Sequence, residues 1–175
     1  MLMYAEAEPA VFSNVTAVML DYMLSMHENL PKTKLASWAA ARWIDMAYSA
    51  HWLLEHAPQG HEKELWELAD MLHAQGSNWD LWFEDFRQGA TGHNVNNAQG
   101  LKSAAVWYRQ AKNETLHKLS LARMANLDAR FGLPTGMFNG DEIMPVPATR
   151  NPSRGIELCG VVEAMFSYNT MFSVH

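Results

Sequence analysis

The stretch Leu35-Ala-Ser-Trp-Ala-Ala-Ala-Arg-Trp-Ile-Asp-Met-Ala-Tyr-Ser-Ala-His-Trp-Leu-Leu-Glu-His56 decides the fold. Trp38, Arg42, Asp45, Ser49 and Trp52 recur in steps of three or four until Pro58-Gln-Gly60 stops the run, which is the 3.6-residue period of a helix over 35–56. The same period extends outward in both directions. Val11, Val15, Val18, Tyr22 and Met26, widened by Met19 and Met23, predict a helix over 10–28 that ends at Asn29 to Pro31. Leu65, Leu68, Met71 and Leu72 predict one over 61–75. Asn78 then caps a short aromatic segment, Trp79 to Phe86. After a loop at Gly89 to Gly92, residues 94–112 and 114–131 are helical, separated by a polar corner at Asn113 and closed by Gly132-Leu-Pro134. Gly132 to Pro152 has no sustained period and reads as an ordered loop, after which Asn151 as cap and Pro152 at the first helical position open the last helix. No segment alternates apolar and polar residues over strand length. The fold class is all-α, with helices in successive pairs as in a bundle, a repeat solenoid or an α/α toroid.

At 175 residues and 49% hydrophobic content the chain suits one core, so residues 1–175 are expected to form one domain or part of one. A net charge of −6, with 13 Lys and Arg spread singly, offers no basic stripe for a phosphate backbone, which argues against nucleic acid. No run of eighteen apolar residues suggests a membrane span, and the start lacks the pattern of a secretory signal, so the expected location is cytoplasmic. A single cysteine excludes an internal disulfide framework.

Candidate chemistry is concentrated late in the chain, in Gly136-Met-Phe-Asn-Gly-Asp-Glu142 and Asn151-Pro-Ser-Arg-Gly-Ile-Glu-Leu-Cys159. Glu142, followed by Ile143-Met144, reads as a half-shielded general acid, with a solvated loop carboxylate as the alternative and Asp141 as its rival. Glu157 and Cys159 offer a carboxylate and a thiolate to a soft metal. On a regular helix they would point about 200° apart, so both reach one ion only if Glu157 lies in an unwound first turn. The alternative is a core cysteine beside a first-turn glutamate. His93, between a glycine loop and a helix, faces a cleft or is a satisfied polar group. His61-Glu62 lacks the second histidine of a zincin helix, since Leu65 stands there. Trp79, Trp82, Phe83 and Phe86 have the spacing of a buried face, which outweighs a sugar-stacking platform.

Three motifs in order, His93-Asn-Val-Asn-Asn-Ala-Gln-Gly-Leu-Lys-Ser-Ala-Ala-Val-Trp-Tyr-Arg109, the loop ending at Glu142, and the Arg150 to Phe166 segment around Glu157-Leu-Cys159, resemble the catalytic domain of glycoside hydrolase family 127. The likeness runs from about Ala36 to the C-terminus and is closest to the branch that reads Glu-Leu-Cys. It implies a six-hairpin α/α barrel, here partial and incomplete, and retaining cleavage of β-L-arabinofuranosides or a related carbohydrate at a zinc-bound cysteine. Carried over by motif, Cys159 is nucleophile and zinc ligand, Glu157 a second ligand, Glu142 the acid/base and His93 a substrate contact. The family's zinc centre uses three cysteines and one glutamate. With one cysteine and no β-sandwich domain, this chain is expected to be a fragment that is inactive alone, or else a non-catalytic helical scaffold that binds a partner.

Overall fold

A computed structural model describes residues 1–84, 86, 92–145 and 150–174, with the main chain alone at Leu2 and His117. The expected Gly89–Gly92 loop lies outside the described residues except for Gly92. The protein is all-α. Among the described residues there is no strand, only three isolated β-bridges, and no helix is long and apolar enough to cross a membrane. The chain forms two compact units, Met1–Gly76 and Ser77–His175.

The first unit holds α1 (Leu2–Ala7), a 3₁₀ turn (Pro9–Val11), α2 (Phe12–Asn29), α3 (Ser37–Ala41), α4 (Trp43–His56) and α5 (Glu62–Gln75). Helices α4 and α5 pack together and α2 lies against both. Leu20, Met23, Ile44, Leu53, Leu65, Leu68 and Leu72 fill the space between them. The buried face of α2 is Thr16, Met19, Leu20 and Met23 rather than the Val18 and Tyr22 stripe, which is exposed. Both stripes have helical spacing, and Thr16 can be buried because its hydroxyl donates to Phe12 O at 2.8 Å. The run over 35–56 is two helices, because Arg42 (φ −105°, ψ 16°) leaves helical geometry between α3 and α4 and lays its guanidinium over the Trp38 ring. The Gln75 side chain accepts from Leu35 N and donates to Leu30 O, both at 3.0 Å, so the end of α5 holds the 30–35 connection.

The second unit holds α6 (Trp79–Glu84), α7 (Asn94–Gly100), α8 (Ser103–Ala111), α9 (Thr115–Phe131) and α10 (Leu158–Val174). The 94–112 run also divides, at Leu101 and Lys102, and α8 ends on Lys112 in left-handed conformation (φ 51°). Trp79, Trp82, Phe83 and Phe86 are all buried, and Phe86 meets Phe131 edge to face at 5.2 Å, so this aromatic face is core and no sugar platform. Helices α6 and α9 are clamped by polar contacts as well. Buried Arg123 donates to Ser103 Oγ at 2.5 Å and pairs with Asp80, and Asn126 donates to Phe83 O. Burial pushes the Arg123 guanidinium down to about 10, the cost of desolvating its charge. Helix α10 packs on α7 and α8. Fully buried Lys102 ties them together, with Nζ 2.5 Å from Glu163 Oε1, 3.4 Å from Ser167 Oγ and 4.6 Å from the Phe166 ring centre. Ser167 in turn donates to Ala98 O at 2.7 Å.

Candidate functional site

Three separate segments are stitched together where α7 and α10 begin. The end of α9 turns back on itself, with Leu133 N donating to Met137 O and Asn139 N to Phe131 O, each at 2.7 Å. This returns Asn139 and Gly140 to the start of α7. From there Asn94 N donates to Glu142 O and Met144 N to Gly92 O, both at 2.9 Å, as the antiparallel bridge of His93 with Ile143. On the other side Gly140 N donates to Gly155 O at 3.2 Å and Glu157 N to Gly140 O at 3.0 Å, as the parallel bridge of Gly140 with Ile156. The Gly140 carbonyl takes a second proton from Asn94 Nδ2 at 2.9 Å. Asn94 is fully buried. Its amide is packed so closely that a Cβ at Gly160 would lie 2.6 Å from Nδ2 and one at Gly140 3.2 Å from Cγ.

This junction brings the candidate residues to one end of the unit. His93 occupies the position before α7, its side chain 12% exposed, with Nε2 3.8 Å from Glu142 Oε1. The Glu142 side chain is 78% exposed, which corrects the half-shielded acid expected from Ile143-Met144. The reason is local. Met144 is buried away in the core and Ile143 is itself exposed, so neither covers the carboxylate. Asp141 is engaged elsewhere: Arg154 Nη2 pairs with its carboxylate and donates to Ile143 O at 2.9 Å. The Arg154 hydrogen bond holds the Asp141 carboxyl below the usual range, so it stays ionised and is a poor proton donor.

The last helix does not open at Asn151–Pro152. Asn151 Oδ1 accepts from Ser153 N at 3.0 Å and from Ser153 Oγ at 2.7 Å, which makes an Asx turn, and α10 starts at Leu158, beyond that turn. Glu157 therefore sits at the capping position, its carbonyl accepting from Val161 N at 3.2 Å, and Cys159 lies in the first turn as an exposed free thiol. Because Glu157 precedes the helix, the 200° separation of a regular helix does not apply. Its Oε2 is shielded from solvent and takes no hydrogen bond from the protein.

Two donors do not make a zinc centre, which takes four. Among the described residues no three His, Cys, Asp or Glu side chains gather to hold a metal, so the donor set present does not fit the metal that the resemblance implies. A cavity of about 460 Å³ in this unit is lined by Asp128, Gly132, Leu133, Pro134, Arg150 and Pro152, none of them a candidate residue. The residues that hold the junction, Asn94, Gly140, Arg154 and Gly160, are absent from the sequence-based set. The signal for Asn94 was present: Asn94, Asn96 and Asn97 crowd one short helix although asparagine favours caps and turns, and all three are buried. Compared with family models, with curated proteins and with solved structures, the chain gives no match.

Proposed function

We propose that the second unit carries the acid and nucleophile of a retaining glycosidase site within a partial α/α toroid, acting on β-L-arabinofuranosides or a related sugar. The supporting observation is the junction itself: backbone bridges tie the Glu142 loop both to His93 at the start of α7 and to Glu157 just before Cys159. Each group has a task suited to its position. Exposed Glu142 protonates the departing glycosidic oxygen, and His93, 3.8 Å from it, orients the sugar and the carboxyl. The exposed Cys159 attacks the anomeric carbon as its thiolate while the leaving group departs with the proton from Glu142, and water that gives a proton to the Glu142 carboxylate then displaces the thiolate. Glu157, whose Oε2 has no protein donor, is the side chain available to a sugar hydroxyl beside that thiol.

A second reading is a non-catalytic helical scaffold. It is favoured by the 78% exposure of the Glu142 side chain, which leaves water free access to the carboxylate. The glycosidase reading expects slow turnover by the chain alone, and the scaffold reading expects none. Purified protein, with and without added zinc, assayed on an aryl β-L-arabinofuranoside beside Cys159→Ser and Glu142→Gln separates them. Weak turnover abolished by both substitutions supports the glycosidase. Turnover that survives Cys159→Ser removes the nucleophile, and no turnover at any zinc concentration favours the scaffold.

A further inference from the structure

Helix α10, Leu-Cys-Gly-Val-Val-Glu-Ala-Met-Phe-Ser-Tyr-Asn-Thr-Met-Phe-Ser-Val over 158–174, has one charged residue, Glu163, and that residue is committed to Lys102. A helix apolar on all sides is normally covered on all sides. The inner face of α10 is covered, with Gly160, Ala164, Ser167, Thr170 and Met171 buried. The outer face is not. Leu158 is 73%, Val162 58%, Met165 65% and Phe172 77% exposed, and Asn169 between the last two is exposed as well. Their spacing of four, three, four and three residues is a heptad seam, with Leu158, Met165 and Phe172 at d and Val162 and Asn169 at a.

We infer that this face pairs with the same face of a second copy of the chain, as a parallel, in-register two-helix seam. The choice of occupant rests on Asn169. In a parallel pair a layers meet a layers, so Asn169 meets its own copy and the two amides hydrogen-bond to each other. In an antiparallel pair a meets d, which sets the amide against Leu158 or Met165. An unrelated apolar helix leaves it equally unpaired, and burying such an amide is costly. The area fits too. With each bared over more than half of its surface, the four apolar residues expose roughly 500 Å² per copy before their polar flanks are counted. That is the upper end of what a monomer leaves bare and most of the roughly 800 Å² per partner in a stable dimer. Two and a half heptads would be short for free peptides, but α10 is already held in helical form by α7 and α8.

Sedimentation velocity on the whole chain from about 1 to 200 µM is the first test, with a reversible dimer expected at a Kd on the order of 10 µM. Met165→Glu, on the exposed face and checked for unchanged helicity by circular dichroism, sets two carboxylates against each other in the seam and weakens the dimer about 100-fold or more. Register is read by disulfide trapping. Met165→Cys in a Cys159→Ser background brings facing d positions within disulfide reach only in the parallel pair, so oxidation yields a covalent dimer. A monomer at every concentration, a dimer indifferent to Met165→Glu, or no trapped dimer overturns the inference.

Discussion

Replacing Gly160 by alanine tests the junction at its tightest point. In an ordinary helix the change is favourable by up to about 1 kcal/mol, because glycine has the greater backbone freedom to lose. Here the new Cβ would stand 2.6 Å from Asn94 Nδ2 and 3.1 Å from its Cγ. Asn94 cannot swing aside without giving up its 2.9 Å bond to Gly140 O, and a buried group left unpaired costs about 1–3 kcal/mol. The clash exceeds the propensity gain, so Gly160→Ala should destabilise the second unit by about 1–2 kcal/mol. The sign should reverse once the obstacle is removed. In an Asn94→Ala background the same substitution fits the vacated space and stabilises by up to about 1 kcal/mol, giving a coupling of roughly 2 kcal/mol across the cycle. Native-state hydrogen exchange at the α10 amides reads this unit separately from Met1–Gly76. Equal stabilisation by Gly160→Ala in both backgrounds would refute the packing argument.

Three further substitutions probe two ion pairs of the second unit. Lys102→Met leaves Glu163 half-sheltered without its cation and should cost about 3 kcal/mol, whereas Lys102→Met with Glu163→Leu should recover most of it; urea unfolding that finds the single variant neutral rejects a stabilising pair. Asp141, held ionised by Arg154, has a folded pKa below its unfolded value of 3.8. Its contribution is therefore complete above about pH 4 and lost as pH falls through the folded value, and Asp141→Asn should flatten that part of the acid-unfolding curve. Superimposable curves for the two proteins would exclude the Arg154 contact as its source.

Helix content was legible because apolar residues at 3.6-residue spacing need only a nearby surface to bury against, and α2, α5 and α9 end within one or two residues of where the pattern places them. Helix interruptions were not legible. Residues 35–56 and 94–112 carry unbroken periodicity, yet Arg42 and the Leu101–Lys102 pair turn, with Arg42 stacked on Trp38 and Lys102 paired to Glu163 sixty-one residues on. The Lys102 partner is chosen by tertiary packing, whereas Arg42 stacks on a ring four residues back, a pair that continuous helical periodicity does not single out.

The Asn151–Pro152 signal failed for a more instructive reason. An asparagine whose side chain accepts from the N–H two residues later is the first step of a helix cap and equally of an Asx turn, so local chemistry at Asn151 does not distinguish them. What selects the turn lies elsewhere: Gly155 O and Glu157 N are both spent on Gly140, so these two groups are withdrawn from a helical ladder before Leu158. Gly140 is held in turn by Asn94 Nδ2, and Gly160, one residue beyond Cys159, leaves room for that amide. The setting of Glu157 and Cys159 at the start of α10 is thus decided by an asparagine more than sixty residues earlier that takes no part in the chemistry.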